Sequence, residues 1–197
     1  MRTLFLGLLL AAAPAAESEA PSPKTTPGAP ANTAAGDDAA EGQSIEFDGD
    51  AYVEQFESAT PDFRLMEFVR ADETVDNWTK LLAVRNFMKL EDPGQSAAAV
   101  GKTLQQMQPE AKYRLLEKED GSEAIIDFIT WPADGSYLEF NIHRYLKKPG
   151  YPGLISYQFA YKFTDTSPES QEKFQKLRAK WVDEMSKADW DVEFGEQ

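Results

Sequence analysis

One short run holds most of the side chains that could do chemistry. Tyr137-Leu138-Glu139-Phe140-Asn141-Ile142-His143-Arg144-Tyr145 alternates between two kinds of residue. Period-two geometry puts Tyr137, Glu139, Asn141, His143 and Tyr145 on one face of a strand, and Leu138, Phe140 and Ile142 on the other. A face that mixes aromatic rings with a carboxyl, an amide and an imidazole could line a ligand cleft. His143, the only histidine in the chain, would titrate near neutral pH. Glu139, Asn141, His143 and Tyr145 are therefore the candidate ligand-binding residues. The competing reading is the ordinary polar side of an antiparallel sheet, open to solvent or half-covered by a helix. The run with Tyr157, Phe159, Tyr161 and Phe163 alternating reads as core or helix-covered surface rather than as an aromatic ligand platform.

Other chemistries find little support. No G-x-S-x-G occurs, and a triad on His143 would need Ser122 or Ser156 without any sign of a strained elbow. Neither phosphate-cradling glycine pattern is present. One histidine and no cysteine leave too few ligands for a zinc site. Asp48-Gly49-Asp50 and Asp120-Gly121-Ser122-Glu123 are oxygen-rich, yet they lack the spacing of a calcium loop and read as turns. Acid–base work by paired carboxylates needs a proximity that no pair among the 34 acidic residues advertises. No catalytic, cofactor-binding or metal-binding residue is assigned, and no cofactor is expected.

Residues 1–16, MRTLFLGLLLAAAPAA, read as a secretory signal: Arg2, an apolar run from Leu4 to Ala13, and an A-x-A cleavage pattern at Ala13-Pro14-Ala15. The apolar run is shorter than the roughly 20 residues that a membrane span needs, so no stable insertion is expected after cleavage following Ala15 or Ala16. Residues 17–43 contain no aromatic residue and no Val, Ile, Leu or Met, which is the composition of a disordered spacer. A single domain is expected over 44–197. Absence of cysteine excludes disulfides and fits a bacterial periplasmic or secreted protein. The formal net charge is −14, which disfavours nucleic acid and anionic membrane surfaces as partners.

The elements that must position the candidate face follow from periodicity. Asp62 to Arg70 reads as a strand, preceded by a short strand or helical turn within 45–56. Trp78 to Met88 reads as a second strand with Trp78, Leu82, Val84 and Met88 on one face, where Lys80 and Asn86 are imperfections. Asp92-Pro93 caps a helix carrying Ala97, Val100, Leu104 and Met107, which stops at Pro109. Four strands follow, Tyr113 to Glu117, Ala124 to Trp131, Tyr137 to Leu146 and Leu154 to Phe163, with turn residues between them. Ser167-Pro168-Glu169 starts a last helix with Phe174, Leu177, Trp181, Met185 and Ala188 along one side. The sum is an α+β fold, a twisted antiparallel sheet of about six strands with two main helices, one helix covering each face.

Between the first two strands lies Asp72-Glu73-Thr74-Val75-Asp76-Asn77-Trp78-Thr79-Lys80. Asn77-Trp78-Thr79 matches a glycan acceptor, but the segment reads better as a polar turn that delivers Trp78 into the next strand as a core anchor. From Phe68 to Val84 the chain resembles small exported bacterial proteins of uncharacterised role, which share a block close to G-E-T-x-x-N-W-T. Here Ala71-Asp72 stands where such proteins tend to have a Pro-Gly-like turn pair. The resemblance implies a strand-turn-strand and an envelope address, and no catalytic residue. Together these features lead to an exported, non-enzymatic accessory or binding domain for an envelope protein or a small ligand. Two alternatives are a hydrolase using carboxylates with His143, and an assembly protein pairing through its last helix.

Overall fold

The computed structural model describes residues 42–195. The expected signal and all but the last two residues of the expected spacer lie outside them. The chain runs β1 (Ser44–Phe47), β2 (Asp50–Thr60), β3 (Phe63–Val69), β4 (Lys80–Phe87), α1 (Pro93–Met107), β5 (Tyr113–Glu117), β6 (Glu123–Thr130), β7 (Leu138–Leu146), β8 (Leu154–Phe163) and α2 (Pro168–Lys187). One antiparallel sheet takes the order β1-β2-β3-β4-β8-β7-β6-β5, so two meanders meet where β4 pairs with β8.

The sheet has eight strands, not about six. The two extra strands form the N-terminal hairpin, turned by Asp48 and Gly49 at φ 54° and 77°, a two-residue turn whose twist suits adjacent strands. Its second strand hides its alternation. A β-bulge between Glu54 and Phe56 shifts the pairing, and Tyr52 is the only fully buried side chain along β2.

The helices cap opposite faces. Asp92 accepts from the Gln95 backbone N–H ahead of Pro93, and α1 then buries Ala97, Val100 and Leu104 against Ala124, Ile126 and Phe128 of β6 and Tyr145 of β7. Ser167 caps α2 at the Ser170 N–H, and α2 lays Phe174, Trp181 and Met185 on Phe140, Ile142, Tyr157 and Phe159. Rings dominate this larger core: Trp181 lies 5.0 Å from Phe159 and 5.1 Å from Tyr161, centroid to centroid. Asp127, on the same face and fully buried, is held by Arg114 of β5 and Arg178 of α2, as a buried carboxylate requires.

Both imperfections of β4 are paired. Lys80 donates to Asp48 at 2.8 Å and Asp50 at 2.7 Å. Asn86 donates to the carbonyls of Pro152 at 2.7 Å and Leu154 at 3.2 Å. Trp78 departs from expectation: it precedes β4, is half-buried, and packs with Val75 on Leu81, Ala83 and Ala160, the face opposite Leu82 and Val84. The turn is the reason. Thr74 and Asn77 form an isolated bridge, and Glu73 accepts from the Thr79 N–H at 2.8 Å. The loop thus folds back over the sheet before the strand begins.

Candidate functional site

Strand register assembles the site across β4, β8, β7 and β6. Arg85 lies opposite Ser156, which lies opposite Tyr145. One row along, Ala83, Gln158, His143 and Ile126 follow one another; the next rows hold Leu81, Ala160, Asn141 and Phe128, then Lys162, Glu139 and Thr130. All point to the face that carries α1. The four expected residues therefore do share one face, together with Arg85, Ser156 and Gln158.

That face is neither solvent-exposed nor a half-covered rim. Glu139, Asn141, His143 and Tyr145 are buried, and so are Arg85, Ser156 and Gln158. Helix α1 seals the β6 side, while Val75 and Trp78 seal the patch formed by Leu81, Ala83 and Ala160. A polar seam runs between the two covers.

Part of the seam is a closed hydrogen-bond chain. Gln158 Nε2 donates to Asn141 Oδ1 at 2.9 Å, and Asn141 Nδ2 donates to Glu139 Oε1 at 3.1 Å. With Glu139 ionised, this chain fixes both amide orientations. The remainder is unsatisfied: Gln158 Oε1, both ring nitrogens of His143, Arg85 Nη1, Ser156 Oγ and Tyr145 OH have no hydrogen-bond partner among the described residues. Gln158 is 0% exposed, and His143 and Arg85 are 6% exposed. Buried polar atoms are nearly always bonded in folded proteins, because an unmade bond costs about 1–3 kcal/mol. Several on one face are informative.

The electrostatics follow from burial. Desolvation first, and then the Arg85 charge, push the His143 imidazole down to about 3. His143 is thus a neutral ring at physiological pH, with one donor and one acceptor nitrogen. It is sandwiched between Phe128 at 5.6 Å and Tyr145 at 6.3 Å, near-parallel to both. Burial raises the Tyr145 phenol to about 12. Burial also raises the Glu139 carboxyl, against the pull of its Asn141 bond and of Lys162. Burial lowers the Arg85 guanidinium, with Glu67 opposing.

Lys162 closes one end of the seam. Its ammonium sits 3.6 Å from the Trp78 ring centroid and 5.2 Å from that of Tyr137. Among the described residues no group of three or more His, Asp or Glu side chains is arranged to hold a metal ion. A shallow hollow of about 320 Å³ lies on the opposite face between Phe47 and Trp190. Its Asp48 is engaged by Lys80 and Lys180.

Arg85 and Gln158 escaped the sequence reading of the site. Their one signal was local: Arg85 interrupts the apolar run Leu81-Leu82-Ala83-Val84, and Gln158 stands between Tyr157 and Phe159. Nothing local links either to His143.

No curated protein matches the chain. A protein-family model matches residues 39–190, which takes in every strand and both helices. The chain belongs to that family.

Proposed function

We infer that this chain is an exported bacterial envelope protein that works as a non-catalytic binding domain, holding a small ligand or an envelope partner through the seam. The observation that carries the reading is the set of buried, unpartnered polar atoms on Arg85, Gln158 and His143. Such atoms lower stability unless something bonds them in the working state. Export rests on the leader-like residues 1–16 and on the absence of cysteine. The likeness of Asp72 to Thr79 to a G-E-T-x-x-N-W-T block in small exported bacterial proteins points the same way.

The two alternatives fit less well. A hydrolase would need a carboxylate against His143; both ring nitrogens lack a partner among the described residues, and an imidazole held near about 3 takes up few protons at neutral pH. Assembly through α2 would need an exposed apolar stripe. Phe174 and Trp181 are buried, however, and Leu177 packs against the same core.

Native mass spectrometry of the full chain, isolated from an envelope fraction, tests the reading. The expected result is a bound small molecule or protein partner that is retained by the wild type and depleted in Gln158→Leu. A bare monomer from that fraction overturns it.

A further inference from the structure

We propose that the seam takes a small carboxylate that also bears a hydroxyl or amino donor, with the carboxylate on Arg85 and the donor on Gln158. The proposal rests on the binding reading and names its ligand.

Arg85 supplies the charge. A guanidinium stays protonated even when buried, and its fork matches a carboxylate better than any other side chain does. With Nη1 unpartnered among the described residues at 6% exposure, Arg85 presents a donor that only an acceptor can satisfy. Glu67 is the carboxylate that acts on it from the protein side. His143, neutral and beside the Arg85 charge, can offer a ring N–H to a second oxygen of the same carboxylate.

Gln158 supplies the selectivity. With Glu139 ionised, Asn141 must donate to it and therefore accept from Gln158 Nε2, so flipping the Gln158 amide would break the chain. The free atom is therefore the carbonyl Oε1, an acceptor. A bare carboxylate cannot donate to it, whereas a hydroxyl or amino group on the same molecule can. The polar row is hemmed by Phe128 and Tyr145 on the His143 side and by Ala83 and Ala160 on the other, which suits a compact molecule. A site built to bond a donor rejects the analogue that lacks it, because its own acceptor is then left buried and unpaired.

His143 is the chain's only imidazole, so its ring-nitrogen NMR signals report on the seam without assignment ambiguity. Full-length protein is titrated with glycolate, with acetate, which keeps the carboxylate and lacks the donor, and with ethylene glycol, which has donors and no carboxylate. The expected result is a saturable shift with glycolate, at least about tenfold weaker binding of acetate, and no response to ethylene glycol. Gln158→Leu should bring glycolate down to the affinity of acetate, and Arg85→Lys should weaken both. Absence of a saturable shift with either carboxylate overturns the proposal, as does unchanged glycolate binding in both variants. If native mass spectrometry finds a neutral or cationic ligand while carboxylates do nothing, the carboxylate assignment falls and the binding reading stands. If it finds neither ligand nor partner, both fall.

Discussion

The ammonium of Lys162 lies 3.6 Å above the ring of Trp78, joining the end of β8 to the loop that folds back over the sheet. Desolvation lowers the Lys162 ammonium, against the pull of Glu139 and Glu73. The ring face thus replaces part of the lost hydration. A double-mutant cycle with Trp78→Leu and Lys162→Met, followed by denaturant unfolding, should give a coupling of about 1 kcal/mol. A coupling within the roughly 0.3 kcal/mol of ordinary additivity would make the contact incidental.

His143 should make the fold sensitive to mild acid. Its ring is held down to about 3 by burial and by Arg85, whereas in the unfolded chain it titrates near about 6.5. Below that value the unfolded chain binds a proton that the folded chain refuses. Stability is therefore fully present above about pH 6.5 and declines as the pH falls towards 3. Between about pH 7 and 5.5 the loss from this group is about 1 kcal/mol. Glu139, raised by burial, acts in the opposite sense, so the readout is the difference between wild type and His143→Gln. The variant should show the shallower pH slope in urea unfolding. Equal slopes would place His143 in contact with water.

Much of this architecture is legible in local chemistry. The Asp92-Pro93 and Ser167-Pro168 starts, the β8 run from Leu154 to Phe163, and the coverage of both faces follow from caps and period-two alternation. The N-terminal hairpin is harder to read because the bulge at Glu54 and Phe56 breaks the period on which a strand is recognised. Trp78 misleads for a different reason: its parity matches β4, but the Glu73 bond to Thr79 turns the chain first. For the seam, alternation groups Glu139, Asn141, His143 and Tyr145, yet it cannot reveal that Arg85 and Gln158 join them. That depends on the pairing of β4 with β8 and of β8 with β7, a tertiary fact. Nor can alternation tell a polar face open to water from one buried under α1 and a loop.

Gly153 should be the least replaceable of the turn glycines. Its φ is +70°, and a Cβ there would stand 2.1 Å from the Phe87 carbonyl oxygen and 2.7 Å from the Met88 backbone. The close approach sits where β4 ends and β8 begins, beside the Asn86 bonds to Pro152 and Leu154. Gly121 has a similar φ of +67° and open space around it. Gly121→Ala should cost about 1 kcal/mol through conformation alone. Gly153→Ala should cost about 3 kcal/mol or more, because backbone must also move. Thermal or urea midpoints of the two variants decide this, and equal losses would mean that the corner yields easily.

Arg144 ties the end of α2 to the sheet. Its Nη1 donates to the carbonyl of Met185 at 3.1 Å and to that of Ala188 at 2.5 Å, while Nε and Nη2 grip Glu123 Oε2 at 2.9 and 2.6 Å. The last carbonyls of a helix lack intrahelical partners and carry partial negative charge, so a buried cation there satisfies both needs. Glu123, which the bonds from Lys118 and Arg144 hold below the usual carboxylate range against desolvation, balances the charge. Arg144→Met would leave Glu123 to Lys118 alone and free the carbonyls, at a cost of about 3 kcal/mol. Arg144→Lys keeps the charge but cannot span helix end and carboxylate at once, and should recover less than half of that loss. Hydrogen exchange separates this role from a general loss of stability. In the lysine variant the amides of the last turn of α2 should exchange faster, while those of β4 and β8 keep their protection. Uniform acceleration across the sheet would show that Arg144 stabilises the core as a whole rather than docking the helix end.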